Sequence, residues 1–171
     1  MNKIYTGIGS RDVPKEIEAI FTKIAMSLAK RDYTLRSGGA DGSDLAFECG
    51  CDRLRGKKEI YIPWKGFNNS NSELYGVTDE MYRIAERYHP YWHNLKDGAK
   101  KLHARNCSQI LGKDLNTPTN FVICYTKDGK LQGGTAQALR IAMDYDIKIF
   151  NAGSYDDLNE FVNDIKEFIE E

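Results

Sequence analysis

The sequence predicts an α/β fold: a doubly wound, mainly parallel five-stranded sheet with helices on both faces. Short apolar runs alternate with longer amphipathic ones along most of the chain, and that alternation builds parallel sheets through right-handed crossovers. Glycine-rich turns follow three of the short runs, at Gly7-Ile8-Gly9, Ser37-Gly38-Gly39 and Gly133-Gly134. The 171 residues are 41% hydrophobic and 29% charged. That is ordinary globular composition, and a domain of this size buries about 70% of its unfolded surface.

Each element has its own signal. Lys3 to Thr6 is a first strand that runs into Gly7-Ile8-Gly9. Pro14 opens a helix, where its missing N–H leaves no bond unmade. Ile17, Ile20, Phe21, Ile24, Ala25 and Leu28 follow at three- and four-residue steps and form one apolar stripe ending near Arg31. Tyr33 to Arg36 is a second strand, and Gly42 to about Leu54 a second helix carrying Leu45, Ala46 and Cys49. Glu59 to Ile62 is a third strand stopped by Pro63. Thr119 to Tyr125 is a fourth, with the run Phe121-Val122-Ile123-Cys124. A helix from Gly133-Gly134-Thr135 to Tyr145 leads to a fifth strand, Ile147 to Phe150. Leu158, Phe161, Val162, Ile165, Phe168 and Ile169 then mark a closing helix.

The stretch from about 65 to 95 breaks this rhythm inside one domain spanning 1–171. It holds Asn68-Asn69-Ser70-Asn71-Ser72, a helix over 79–88, and Tyr75, Tyr82, Tyr88, Tyr91 and Trp92. An insertion of this length is often a lid or an interface. The aromatic cluster either packs it onto the body or a second subunit, or stacks on a base. Lys96 to Leu111 forms a further helix bearing Lys96, Lys100, Lys101, His103 and Arg105.

Several function classes are disfavoured. The formal charge of −1 lacks the basic excess of non-specific nucleic-acid binders. No run of about 18 apolar residues is present, so no transmembrane helix is expected. Met1 to Tyr5 do not read as a signal peptide, and the expected location is the cytoplasm. Cys49, Cys51, Cys107 and Cys124 read as free thiols, and no ligand spacing suggests a metal. His89 and His93 are four apart, but Pro90 interrupts any helix between them. No cofactor is expected.

The three glycine turns would gather at the carboxyl edge of a parallel sheet, where ligands bind at the reversal of strand order. Glycines let backbone amides approach an anion, and a following helix adds its positive end. Arg11 and Arg36 stand beside them, so the edge reads as a phosphate or pyrophosphate site. The dinucleotide fingerprint is not met, because Asp12 occupies its third glycine position and the second strand ends in Arg36 rather than an acid. Gly-x-x-x-x-Gly-Lys-Ser/Thr does not occur, which excludes a P-loop. Asp44 and Glu48 lie four apart on one helical face. Asp44 reads as a ligand or turn-fixing residue and Glu48 as a salt-bridged one.

Gly9-Ser10-Arg11, Ser37-Gly38-Gly39-Ala40-x-Gly42-x-Asp44, Arg105-Asn106 and Gly133-Gly134-Thr135 occur in this order over residues 4–151. The set resembles the SLOG superfamily of Rossmann-like proteins, whose members include DprA-like DNA-processing proteins, Lonely Guy phosphoribohydrolases and short stand-alone nucleotide binders. The resemblance implies a phosphate site on Gly7, Gly9, Ser10, Arg11, Arg36, Ser37, Gly38, Gly39, Asp44, Arg105, Asn106, Gly133, Gly134 and Thr135. In this picture Asp44 takes a hydroxyl and the 65–95 insertion closes over the base. Asp41 stands where DprA-like proteins carry arginine, and Arg36 is the expected replacement. Ala138 stands at the glutamate of the Lonely Guy pattern, which disfavours N-glycosidic cleavage because a carboxylate stabilises its oxocarbenium-like charge.

The expected function is therefore binding of a phosphate-bearing, nucleotide-derived small molecule, sensing or sequestering a nucleotide signal in a phage-like setting. The alternatives are a DprA-like binder of single-stranded DNA, with Lys96, Lys100, Lys101 and Arg105 as its basic track, and a nucleoside monophosphate N-glycosidase. The resemblance also implies a homo-oligomer and no membrane partner.

Overall fold

A computed structural model describes residues 2–170. Along the chain stand β1 (Ile4–Gly9), α1 (Lys15–Lys30), β2 (Thr34–Ser37), α2 (Ser43–Arg53), β3 (Lys58–Ile60) and α3 (Asp79–Tyr88). They are followed by α4 (Asp97–Leu111), β4 (Phe121–Tyr125), α5 (Thr135–Asp144), β5 (Lys148–Asn151) and α6 (Leu158–Glu170). The five strands form one sheet of order β3-β2-β1-β4-β5, and every pairing is parallel. The fold is a Rossmann-like α/β sandwich, as the alternation predicts.

Strand β4, between β1 and β5, is buried throughout. Side chains alternate across a strand, so an unbroken apolar run serves two faces at once. Phe121 and Ile123 join Tyr5, Leu35 and Phe150 beneath α1, α2 and α6. Val122 and Cys124 join Ile8 beneath α3, α4 and α5. On the first face Phe21 of α1 stacks on Phe47 of α2 at 4.3 Å. Phe21 is wholly buried, which contributes about 1.5–3 kcal/mol. No helix among the described residues is long and apolar enough to cross a membrane.

The 65–95 segment packs on the body in two pieces. Its first part returns beside β3 through a parallel bridge between Ile62 and Tyr75. There Asn68 Nδ2 donates to the Gly39 carbonyl and to Asp41 Oδ1, both at 2.9 Å. Its second part is α3, capped by Thr78 Oγ1 accepting from the Met81 amide at 3.2 Å. Trp92 is buried in the core beneath α3–α5, with Tyr82 at its edge and Lys100 Nζ 5.5 Å from its ring centre. Of the roles the sequence leaves open, packing onto the body accounts for Tyr82 and Trp92.

Candidate anion-binding site

The chain runs outward from β1 to β2 and β3, then crosses to β4 on the other side of β1. Strand order therefore reverses between β1 and β4, the place where open parallel sheets leave a crevice. A cleft of about 570 Å³ opens there. Its floor is Ile8 and Gly9 of β1, and its first rim is Ser10, Arg11 and Asp12. The second rim is Thr126 and Lys127 after β4, with Gln132 to Thr135 at the start of α5. Leu102, His103, Arg105, Asn106 and Gln109 of α4 form a wall, and Asp44 stands at the base of α2.

The α4 wall follows from helical spacing. Leu102, Arg105, Asn106 and Gln109 are three and four residues apart and share one face. Arg105 is 5% exposed. Its Nη1 donates to the Gly38 and Tyr61 carbonyls, and its Nε donates to the Leu102 carbonyl at 3.3 Å. Nη2 has no protein hydrogen-bond partner among the described residues. The backbone thus holds one edge of the guanidinium and leaves a donor for the cleft. Burial pulls the Arg105 pKa down to about 10 against the opposing pull of Asp44, so the group stays charged at neutral pH.

Asp44 is 4% exposed. Its Oδ2 accepts from the Ala40 amide at 3.3 Å, and the Gly9 amide also bonds the carboxylate. Burial raises its pKa to about 6, while Arg105 and the two amides pull the other way. The carboxyl pins the β1 and β2 loops together and presents a group that titrates just below neutrality.

Unpaired backbone donors remain on both rims. Gly133 has φ +70°, and α5 begins without a side-chain cap. The amides of Gly133, Gly134 and Thr135 have no intramolecular acceptor among the described residues, as expected for the first turn of a helix. Asn106 Nδ2 donates to the Gly134 carbonyl at 2.9 Å and fixes the turn. On the other rim the Arg11 and Asp12 amides have no acceptor among the described residues, whereas the Ser10 amide donates to the Tyr125 carbonyl at 2.9 Å. Among the described residues no carboxylate pairs with Arg11 or Lys127. A helix start, free amides and uncompensated cations together suit an anion.

The structure gathers Gly9, Ser10, Arg11, Asp44, Arg105, Asn106, Gly133, Gly134 and Thr135 around this cleft. Gly7, Arg36, Ser37, Gly38 and Gly39 do not line it. The Gly7 carbonyl accepts from Ser37 Oγ at 2.6 Å. Gly38 sits behind the site, where a Cβ would stand within 3.0 Å of Gln109 Nε2, Arg105 Nη1 and Asp44 Oδ2. Glycine is required there so that three side chains can close on the backbone. Arg36 is not the replacement phosphate cation that the sequence suggests. It is 2% exposed, paired with Glu59 at 3.1 Å and donating to the Thr117 carbonyl at 2.6 Å. No residue of 65–95 lines the cleft, so the segment does not close over it. Lys96, Lys100 and Lys101 lie outside it as well. Glu48 pairs with Lys58 at 2.8 Å.

His103, Gln109, Asp12, Thr126, Lys127 and Gln132 were not among the candidates. Gln109 was legible as the residue four beyond Arg105 on the same helical face. Lys127 and Gln132 had no signal beyond following the fourth strand.

No family model and no curated protein matches the chain. Two solved structures share its fold. It is similar to DNA processing protein A from Helicobacter pylori, a structure described for its single-stranded DNA binding mode. The TM-score is 0.58 at 19% identity, covering 88% of this chain and 65% of that one. It is also similar to the structural-genomics target TM1055, with a TM-score of 0.56 at 18% identity, over 87% of this chain and 72% of that one. This chain thus spans about two thirds of the length of DNA processing protein A.

Proposed function

We propose that this chain binds a nucleotide-derived small molecule through its phosphoryl group, in the cleft between the carboxyl ends of β1 and β4. One observation carries the reading. The buried Arg105 keeps its Nη2 unpartnered in a cleft whose two rims offer the free amides of Arg11, Asp12 and Gly133 to Thr135. A guanidinium and main-chain amides are the donors that match phosphate oxygens. Asp44 faces the same space and accepts a hydroxyl of the ligand. Calorimetry with nucleoside 5′-monophosphates and the parent nucleosides tests this. The phosphorylated compounds bind and the nucleosides do not, and Arg11→Ala weakens binding without unfolding the chain. Equal affinity for nucleosides, or no binding by either set, contradicts the proposal.

Single-stranded DNA is the second reading, favoured by the fold shared with DNA processing protein A. A steep loss of poly-dT affinity with rising salt would establish it, since each phosphate contact releases counterions. The third reading is N-glycosidic cleavage, for which the titratable Asp44 is the available acid. Release of free base from a nucleoside monophosphate, abolished by Asp44→Asn, would establish that.

A further inference from the structure

The α4 wall of the cleft carries a histidine whose protonation is opposed by three basic neighbours. His103 lines the cleft, and its ring meets that of His89 edge to face at 4.5 Å. His103 Nδ1 is buried and has no hydrogen-bond partner. Arg105 of α4, His89 at the end of α3 and Arg140 of α5 all oppose its protonation. Arg140 also faces His89. Arg11, Asp12, Asp44 and Lys127 line the same cleft, yet no carboxylate hydrogen-bonds to His103 among the described residues. A histidine with a purely structural task is ordinarily held by a carbonyl or carboxylate at one nitrogen. Here the acceptor is missing and the field is positive.

We infer that His103, backed by His89 and Arg140, forms a second anion position that takes a further phosphoryl group of the ligand and gains a proton when filled. The inference rests on the reading of the cleft as a phosphate site and narrows its ligand to compounds with two phosphoryl groups. In the free protein, burial and then the positive neighbours push the His103 pKa down to about 4, and burial followed by Arg140 lowers that of His89. Both rings are therefore neutral near pH 7. A phosphoryl group beside His103 supplies a negative partner that no carboxylate of the cleft provides to this ring, so it raises both values, and binding takes up protons from solution. His93 provides an internal control, because it is exposed and pairs with Glu86 at 3.6 Å.

The test uses inorganic phosphate and inorganic pyrophosphate on the full chain, with the three histidine C2–H resonances and the backbone amides followed by NMR from pH 4 to 8. His103→Gln assigns the resonance and supplies the reference. Pyrophosphate at saturation is expected to raise the apparent pKa of His103 from about 4 to about 7 and to leave His93 in place. The preference for pyrophosphate over phosphate falls at least fivefold in His103→Gln at pH 6 and less than twofold at pH 8. Comparing variant with wild type at each pH cancels the ionisation of the probes themselves. If both anions shift the amides of Gly133 to Thr135 while His103 titrates unchanged, the second position is refuted and the phosphate site stands. If neither anion shifts those amides, both readings fall.

Discussion

Two glycine turns of this protein look alike as sequence and do opposite work. Ser37-Gly38-Gly39 after β2 is closed by the molecule's own groups, because Ser37 Oγ donates to the Gly7 carbonyl and Arg105 Nη1 to the Gly38 carbonyl. Gly133-Gly134 before α5 is open, with amides that have no acceptor among the described residues and no atom within 4 Å of where a Cβ would sit on either glycine. Glycine in the first turn lets side chains reach the backbone, and in the second it leaves the backbone bare. The arginines divide in the same way. Arg36 is enclosed by Glu59, Ile110 and Thr117, whereas Arg105 keeps one nitrogen for the cleft.

The arginine pair gives the largest contrast. Arg36→Gln removes a buried guanidinium from its half-buried partner Glu59 and leaves two carbonyls short of a donor. It is expected to cost about 3 kcal/mol in chemical denaturation, with nucleotide affinity within twofold of wild type. Arg105→Gln is expected to weaken nucleotide binding more than tenfold at a smaller stability cost of about 1–2 kcal/mol. Reversal of the two ligand effects would exchange their assignments.

Asp44 comes next. Its folded pKa of about 6 lies above the ordinary aspartate value of 3.8, so the native state holds the proton more tightly than the unfolded chain. The stability this contributes is present below about pH 4 and is lost as pH rises through about 6. Asp44→Asn removes that loss. The variant should gain about 2–3 kcal/mol on wild type between pH 4 and pH 7, read from denaturation midpoints. His103 acts with the opposite sign, since its depressed pKa makes stability fall as pH drops from about 6.5 through 4. It does so in both proteins and leaves the difference between them unchanged. A flat difference across this range would show that Asp44 is not held as described.

The glycine comparison predicts a gap of similar kind. Gly38→Ala forces three buried side chains to move and should cost about 1–3 kcal/mol together with most of the ligand affinity. Gly134→Ala, at φ −65° with open space around it, should change stability by less than about 1 kcal/mol. Arg11→Ala is the smallest effect, within about 0.5 kcal/mol in stability because the side chain is exposed and unpaired. It is still expected to lower nucleotide affinity severalfold.

The fold was legible because its signals are local and repeated. Apolar runs such as Phe121 to Cys124 and stripes such as Ile17 to Leu28 specify strands and helices with little help from distant contacts. The site was legible where a motif places a side chain on a helix, as for Asp44, Arg105 and Asn106. It was illegible where the outcome depends on a distant partner. Arg36 reads as a strand-end cation, and it is enclosed by Glu59 on β3, Ile110 on α4 and Thr117 before β4. Ser37 to Gly39 reads as a phosphate turn, and it is closed by distant groups: Gly7 of β1, Asn68, and Arg105 of α4. His103 gains its character from His89 and Arg140, which lie 14 residues before it and 37 after it in the chain. No local pattern encodes that meeting.

The most direct test follows backbone amides by NMR while a nucleoside 5′-monophosphate is added to the wild-type chain. Saturable shifts at Arg11, Asp12, Gly133, Gly134 and Thr135, with Ser37 to Gly39 moving much less, are the expected result. Shifts led by Ser37 to Gly39, or none on either rim of the cleft, would contradict it.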